Sequence, residues 1–252
     1  MQLPKIDPML QRSCLLKQRP ISNRIITLEG TDCSFKETNA NRLYDYIKNN
    51  ISDKVLIYHF PNYDSDNDGI QMVKRMLNGE KIEGLETPYD VATIYALDRY
   101  YTLINNGGKN IYEYLDEGYY VIFDRYVYSN VIYQAYNNKG DKEDMKICSY
   151  IMYLEHFLFT LPYSNINIAL ISDYDMIKDK MKSRKKANGL ERDIYEEDEE
   201  RMRQSYDSLL LYSDMYKFNK VYVTKDNKQF KSKEDIFNEI LSILNNNKFF
   251  IK

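Results

Sequence analysis

One stretch of the chain combines the residue types that hold phosphate groups. Residues 24–38, RIITLEGTDCSFKET, begin as an apolar run with β-branched residues, turn at Gly30 and lead into a helical pattern with Ala40, Leu43 and Ile47 on one face. A strand, a tight turn and a helix in this order direct the backbone amides of the turn and of the helix N-terminus at an anion. The stretch therefore predicts a phosphate-binding loop.

This loop departs from the usual pattern G-x-x-x-x-G-K-[S/T] at two positions. Gly30 and Lys36 match the first glycine and the lysine, but Phe35 stands at the second glycine. Glu37 replaces the hydroxyl, and Thr38 is one position late. Glycine takes positive φ at little cost, so phenylalanine there predicts a strained conformation or a different path of the loop, with weak binding of a nucleotide. The alternative is a surface turn with a solvated lysine.

Apolar residues recur along the chain with the periods of alternating strands and helices. Strands are predicted at residues 24–29, 54–60, 119–123, 165–171 and 220–223. Helices are predicted near residues 40–47, 68–77, 88–100, 111–117, 129–136, 141–159, 175–186, 196–216 and 233–245. This alternation is typical of an α/β fold with a doubly wound, parallel five-stranded sheet flanked by helices. Residues 24–252 are predicted to form one domain, and residues 1–23 an N-terminal extension.

Composition excludes several classes of protein. The net charge of −3 leaves no basic excess for duplex DNA or an anionic membrane. The widely spaced Cys14, Cys33 and Cys148 argue against a disulfide framework or a zinc site and for a reducing compartment. No stretch approaches the roughly 20 apolar residues of a membrane span, and residues 1–23 lack the apolar core of a signal peptide. We therefore expect a cytoplasmic protein without a direct nucleic-acid or membrane partner.

Polar residues gather at the carboxyl ends of the predicted strands, where ligands bind in such a sheet. Lys36 follows the first strand, residues 60–64 follow the second, and residues 124–126 follow the third. Tyr95 and Arg99 share a helix face at i, i+4. A single arginine is more often part of a surface ion pair. Several cations at one sheet edge, however, favour a substrate with more than one phosphate.

Four motifs, in the same order and at similar spacing, resemble those of thymidylate kinases. They read LEGTD (28–32), FPNYDS (60–65), YALDRY (95–100) and DRYVYSNVIYQ (124–134). RDIYE, residues 192–196, resembles the segment that closes the family's lid, at about residues 183–195. The resemblance extends from residue 24 to the C-terminus. It implies a P-loop nucleoside-monophosphate-kinase fold, phosphoryl transfer from ATP to dTMP or a close dUMP analogue, Mg²⁺ as cofactor, and a homodimer.

The resemblance also implies roles for individual residues. ATP binding is implied for Gly30, Thr31, Cys33, Ser34, Phe35, Lys36, Glu37 and Thr38. Binding of the acceptor nucleotide is implied for Phe60, Pro61, Tyr63, Tyr95, Arg99, Arg125, Tyr126, Ser129, Tyr133 and Gln134. Catalytic roles are implied for Lys36, Asp32, Arg125 and the lid residues Arg184 and Arg192. Metal binding is implied for Glu37 and Asp124.

Within this set, Arg125 is expected to hold the 5′-phosphate of the acceptor, and Tyr95 to stack on its base. Arg99 is expected to reach the base or the phosphate.

Two other functions remain compatible with the residues. Because the loop is altered, the protein could be a catalytically weak relative that binds nucleotides as a regulatory module. A deoxynucleoside kinase on the same sheet would instead need a carboxylate base near an acceptor hydroxyl, and Glu29 or Asp124 could serve. Assays of nucleosides against monophosphates separate these functions.

Overall fold

Five parallel strands form the main sheet. They are β1 (Ile25–Glu29), β2 (Val55–His59), β3 (Tyr120–Asp124), β4 (Ile166–Ile171) and β5 (Asn219–Tyr222), arranged in the order β2-β3-β1-β4-β5. An antiparallel hairpin of β6 (Thr224–Lys225) and β7 (Gln229–Phe230) follows. The structure, a computed structural model, describes residues 23–135, 140–180, 199–226 and 228–250. Within these residues it confirms the predicted parallel sheet.

Helices connect the strands and flank the sheet. They are α1 (Lys36–Asn50), α2 (Asp68–Leu77), α3 (Pro88–Leu103), α4 (Ile111–Asp116), α5 (Val127–Gln134), α6 (Lys142–Met152), α7 (Glu199–Met215) and α8 (Lys233–Asn246). Residues 174–180 are also helical. At the start of α3, Thr87 and Asp90 accept hydrogen bonds from each other's amides, which confirms the predicted cap before Pro88. None of the described helices is long and apolar enough to cross a membrane.

Both faces of the sheet are covered. Ile26 and Leu28 of β1 join a buried cluster with α1 and α8, whereas Ile25 joins a second cluster with α3, α5 and α6. Successive strand residues point to opposite faces, so β1 contributes to both clusters. With both faces buried, the open ends of the strands are left as the place for a ligand.

The helix predicted at residues 129–136 begins earlier, at Val127. The carboxylate of Glu29 accepts hydrogen bonds from the amides of Tyr126 and Ser129, and so satisfies donors at the start of α5. This cap comes from β1, a distant part of the chain, and local sequence patterns do not contain it.

The structure also differs from the single helix predicted at residues 141–159. It is an α-helix, α6, followed by a π-helical segment, Tyr153–Leu158. A π-helix shifts the side chains relative to an α-helix and is frequent at functional sites. Within this segment Glu155 is fully buried and pairs with Arg99, a contact that apolar periodicity cannot indicate.

Helices α2 and α3 pack with their backbones in close approach. A Cβ atom at Gly69 would lie 2.4 Å from the backbone nitrogen of Asp98, so a larger residue would push the helices apart. Asp98 in turn accepts a hydrogen bond of 2.9 Å from the amide of Asn62. The helix pair therefore fixes the segment that follows β2.

Candidate active site

A cavity of about 740 Å³ opens at the carboxyl ends of β1, β2 and β3. Its wall contains most of the residues predicted for the acceptor and part of the phosphate-binding loop. The predicted residues on the wall are Thr31, Asp32, Glu37, Phe60, Pro61, Tyr63, Tyr95, Arg99, Asp124, Arg125, Ser129, Tyr133 and Gln134. The sheet thus brings together residues from four separate motifs, at the edge where ligands bind in this kind of fold.

Among the wall residues that were not predicted, His59 and Asn130 bear most directly on the chemistry of the site. His59 is the last residue of β2, so its place at the end of a predicted strand was an available signal. Asn130 lies on α5 and shares a helix face with Tyr133 at i, i+3, which was a second available signal.

The phosphate-binding loop adopts the backbone conformation that glycine would favour. Phe35 has φ of 66° and ψ of 21°, and Cys33 has φ of 60°. Such a conformation costs a residue with a Cβ atom about 1–3 kcal/mol. Of the two outcomes predicted for Phe35, the structure shows the strained one. Ser34 closes the turn by donating a hydrogen bond of 2.7 Å to the carbonyl of Thr31.

Lys36 lies inside this loop. Its ammonium donates a hydrogen bond of 2.8 Å to the carbonyl of Thr31. Burial lowers the pKa of Lys36 to about 8, and the charge of Arg125 acts in the same direction, against the carboxylates around it. An ammonium bound to a carbonyl of its own loop can move to a phosphate, because the two acceptors lie within the reach of one flexible side chain.

Arg125 connects the loop to the opposite wall of the cavity. Nη1 donates to the carbonyl of Gly30 and to the hydroxyl of Tyr133, both at 3.0 Å. Nη2 donates to Oδ1 of Asp32 at 2.5 Å. One guanidinium therefore contacts both the phosphate-binding loop and α5, the helix predicted to bind the acceptor nucleotide. This placement suits a group that aligns two phosphates.

Glu29 serves as an anchor of α5. Besides the two amides that it caps, it accepts a hydrogen bond of 2.5 Å from the hydroxyl of Ser129. Burial raises the pKa of Glu29 to about 6, although the hydrogen bond from Ser129 and the charge of Arg125 act in the opposite direction. Since three donors occupy this carboxylate, it is poorly suited to be the base that a deoxynucleoside kinase would need.

Asp124 and His59 form a pair at the ends of β3 and β2. Nδ1 of His59 donates to Oδ2 of Asp124 at 3.1 Å, and this hydrogen bond raises the pKa of His59. Burial alone would raise the pKa of Asp124. The hydrogen bond from His59 and the charges of Lys36 and Arg125 outweigh burial, so the pKa is lower than usual and Asp124 is ionised.

The oxygen atoms near the loop are suitable ligands for a hard divalent cation. Oδ1 of Asp124 and Oγ1 of Thr31 are buried and have no hydrogen-bond partner among the described residues. Glu37 lines the same cavity. The described residues contain no cluster of three or more His, Cys, Asp or Glu side chains that could hold a metal by themselves. Mg²⁺ is usually held by one or two carboxylates together with substrate phosphates. The carboxylates of Asp124 and Glu37 fit this type of coordination.

Arg99 lies in a buried polar network. Nε and Nη2 donate to the two carboxylate oxygens of Glu155 at 2.5 and 2.7 Å. Arg99 is 2% exposed and Glu155 is 0% exposed. The amide nitrogen of Asn130 donates to Glu155 and to the carbonyl of Ala92, both at 2.9 Å. The amide oxygen of Asn130 therefore remains without a partner among the described residues. Arg99 and Asn130 line the cavity, and Glu155 orients both of them.

The side chain of Tyr126 lies in the core and not on the cavity wall. Its side chain was predicted to bind the acceptor, but it is 1% exposed, lies outside the cavity wall and stacks on Phe123 with ring centroids 4.0 Å apart. Its hydroxyl donates to the carbonyl of Pro162 at 2.9 Å. The side chain packs in the core because the turn after β3 directs it inward, and the backbone amide alone serves the site, through Glu29.

The remaining predicted residues fall into two groups. Gly30, Cys33, Ser34, Phe35, Lys36 and Thr38 belong to the phosphate-binding loop and the first turn of α1 and do not line the cavity. The predicted lid, with Arg184 and Arg192, lies outside the described residues, and so does the N-terminal extension as far as residue 22.

Comparisons with known proteins identify the fold and the family of the chain. The profile of the thymidylate kinase family matches residues 28–233. The chain is similar to the solved structure of a thymidylate kinase from Candida albicans, with a TM-score of 0.65 and 19% identity over 90% of this chain and 93% of that chain. It is also similar to that of a thymidylate kinase from Ehrlichia chaffeensis, with a TM-score of 0.59 and 20% identity over 89% of this chain and 99% of that chain.

No curated protein matches the chain. The family profile nevertheless covers most of the sequence, and the five-stranded parallel sheet flanked by helices fits the P-loop nucleoside-monophosphate-kinase fold that the resemblance implied. The chain therefore belongs to the thymidylate kinase family.

Proposed function

We propose that this protein transfers the γ-phosphoryl group of ATP to dTMP, and that the cavity at the ends of β1, β2 and β3 is where the transfer occurs. The observation that carries the proposal is the position of Arg125. It contacts the phosphate-binding loop through Gly30 and Asp32, and the predicted acceptor helix through Tyr133. A reaction between two anions needs a cation between them, and Arg125 occupies that place.

The loop supplies the donor side of the reaction. Lys36 exchanges the carbonyl of Thr31 for the β- and γ-phosphates of ATP, and the amides at the start of α1 bind the same phosphates. Asp124 and Glu37 would hold Mg²⁺, which when bound screens the negative charge of the phosphates. An acceptor phosphate is already nucleophilic, so the residues mainly align the two substrates and exclude water.

On the acceptor side, the Arg125 guanidinium moves from Asp32 to the 5′-phosphate of dTMP, and Tyr95 stacks on the base. Asn130 presents an amide oxygen without a partner among the described residues, and Nη1 of Arg99 is the guanidinium nitrogen that Glu155 does not occupy. An acceptor and a donor on the same cavity wall would match the N3–H and O4 of thymine or uracil. Cytosine presents the opposite pattern. dUMP meets nearly the same contacts as dTMP.

The test is a product assay with purified protein, ATP and Mg²⁺, run with dTMP, dUMP, dCMP, dAMP, dGMP and thymidine. We expect diphosphate from dTMP, a smaller amount from dUMP, and little from the others. Phosphorylation of thymidine in preference to dTMP would support the deoxynucleoside kinase instead. Absence of product from every pyrimidine deoxynucleotide would contradict the enzyme proposal.

We also propose that the protein is a cytoplasmic homodimer. The π-helical segment exposes Tyr153 and Leu158, the latter 54% exposed, on one part of the surface. Such apolar side chains favour contact with a second copy of the chain. Light scattering at micromolar concentration measures the mass, and a monomer would contradict the dimer.

A further inference from the structure

The ring of Phe35 is held by two residues from elsewhere in the chain. Phe230 of β7 contacts it edge to face, with ring centroids 5.4 Å apart and an interplanar angle of 83°. The ammonium of Lys180, at the end of the helical segment 174–180, lies 3.5 Å from the centroid of the Phe35 ring and 4.7 Å from that of Phe230. One cation therefore contacts both rings. We call Phe35, Lys180 and Phe230 the ring clamp.

The ring clamp contacts both strained residues of the phosphate-binding loop. Lys180 donates a hydrogen bond of 3.5 Å to the carbonyl of Cys33, whose φ is 60°. The Phe35 ring that it covers belongs to the residue with φ of 66°. Aromatic pairs and cation–π contacts are favourable interactions. Both interactions are made with the ring in the position that the left-handed conformation of Phe35 gives it.

The ring clamp acts on the loop and not on the cavity. None of its three residues lines the cavity wall. The following residue, Lys36, starts α1 and directs its ammonium to Thr31. Fixing Phe35 therefore fixes the start of α1 and the amides that precede Lys36, because these atoms are joined by a few backbone bonds.

We propose that Lys180 and Phe230 are positioning residues for ATP. By holding the Phe35 ring, they keep the phosphate-binding loop in the conformation that a glycine would otherwise permit, so that its amides face the β- and γ-phosphates before ATP binds. The proposal rests on the proposed function, since it takes ATP as the ligand of the loop. In loops with the usual glycine, the freedom of the glycine backbone permits this conformation. Here side-chain packing would maintain it instead.

The experiment is a double-mutant cycle read by ATP binding. Lys180→Met keeps the aliphatic stem and removes the charge, and Phe230→Leu removes the ring. Each is made in the wild-type chain and in a Phe35→Gly chain, where no ring is left to hold. Lys178→Met is the matched control, since Lys178 lies on the same helical segment but pairs with Glu199. The dissociation constants of ATP and dTMP are measured by calorimetry, and melting temperatures are recorded.

We expect Lys180→Met and Phe230→Leu each to raise the dissociation constant of ATP about fivefold in the wild-type chain. In the Phe35→Gly chain the same changes should have an effect of less than about twofold, because the Phe35 ring is gone and only the 3.5 Å hydrogen bond to the carbonyl of Cys33 still connects Lys180 to the loop. The dissociation constant of dTMP should not change. Lys178→Met should leave both constants as they are. Amide exchange of residues 33–37 should be faster in Lys180→Met than in the control.

Several results would overturn the ring clamp. An equal effect of Lys180→Met with and without the Phe35 ring would show that Lys180 acts independently of the ring, either through the carbonyl of Cys33 or on ATP directly. A lower melting temperature with unchanged ATP affinity would leave only a structural role. If Phe230→Leu fails to fold, the ATP affinities of Lys180→Met with and without the Phe35 ring still test the proposal. A wild-type protein that binds no ATP also overturns the proposal. Failure of the proposed function is distinguishable, because the cycle is read from binding whether or not dTMP is phosphorylated.

Discussion

The two sides of the cavity are stabilised in different ways. The donor side is the phosphate-binding loop, residues 30–38, in which Cys33 and Phe35 hold strained backbone conformations at a cost of about 1–3 kcal/mol each. The acceptor side is the network of Arg99, Asn130 and Glu155, in which an ion pair is buried and the Glu155 carboxylate accepts hydrogen bonds from both of the other residues.

The two sides of one sheet edge should therefore respond differently when contacts are removed, the donor side gradually and the acceptor side abruptly. A strained loop held by several separate contacts loses affinity step by step as contacts are removed. A buried ion pair, in contrast, leaves an uncompensated charge when either partner is lost. Changes on the acceptor side should therefore affect stability and dTMP together, and changes on the donor side should affect ATP with little cost in stability.

Glu155→Gln should have the largest effect. It leaves the Arg99 guanidinium buried without a full counter-charge, and we expect the free energy of unfolding to fall by about 3–5 kcal/mol. The KM for dTMP should rise about tenfold because Arg99 and Asn130 lose their fixed orientation. The KM for ATP should stay the same. Urea unfolding and steady-state kinetics measure these quantities.

Two variants control for this experiment. Arg99→Met combined with Glu155→Leu removes both charges and should recover most of the stability but not the affinity for dTMP. Glu80→Gln breaks an exposed pair with Arg75 and should change neither quantity. If Glu155→Gln is as stable as the wild-type protein, the contrast between the two sides is wrong.

Arg125→Ala should come next, since this residue contacts both sides. Loss of charge-assisted hydrogen bonds to phosphate, worth about 1.5–3 kcal/mol each, should lower kcat by about 100-fold or more. Stability should change little, because the Asp32 side chain is 42% exposed and its carboxylate can accept hydrogen bonds from water instead. Arg75→Ala is the control for loss of a surface arginine. Wild-type kinetics in Arg125→Ala would show that Arg125 does not act on the substrates.

The donor side should also depend on pH through Lys36. Burial lowers its pKa to about 8 in the ligand-free protein, so the ammonium that binds ATP loses its proton as pH rises through that value. At lower pH the residue is fully charged. The dissociation constant of ATP should therefore rise about tenfold between about pH 7 and pH 9, with proton uptake on binding at the upper end.

Affinity for dTMP should vary much less over this pH range. Lys36→Arg should flatten the ATP profile, because a guanidinium remains charged throughout. A profile of the same slope in Lys36→Arg would assign the titration to another group.

The smallest effect is expected from Tyr63→Ala. Tyr63 lines the rim of the cavity and is 53% exposed. Removing it should raise the KM for dTMP less than about threefold, since little contact area is lost. Tyr95→Ala on the inner wall is the matched comparison and should raise this KM about tenfold if its ring stacks on the base. Equal effects of the two changes would place the base at the rim.

Most of the catalytic edge could be predicted from local patterns. Lys36, Asp124 and Arg125 follow predicted strands, and parallel strands bring their carboxyl ends to one edge. The start of α3 at Pro88 followed from the cap at Thr87. Patterns of this kind depend on a few neighbouring residues, which is why they can be read along the chain.

Contacts between distant residues could not be predicted in this way. Glu155 lies 56 residues from Arg99 and reaches it through a π-helical segment. Glu29 caps α5 from another strand, and the inward path of Tyr126 depends on the core around Phe123. Partners of this kind are chosen by packing, and no spacing in the sequence specifies them.

The sequence by itself determined that strands alternate with helices, that a loop at Gly30 faces an anion, and which cations stand near it. Tertiary structure decided the strand order, the pairing of Arg99 with Glu155, and how Phe35 can occupy the position of a glycine. The physical reason is the distance along the chain over which each kind of interaction acts. Periodicity and turn chemistry act over a few residues, whereas burial, ion pairing and ring contacts depend on which distant segments meet in space.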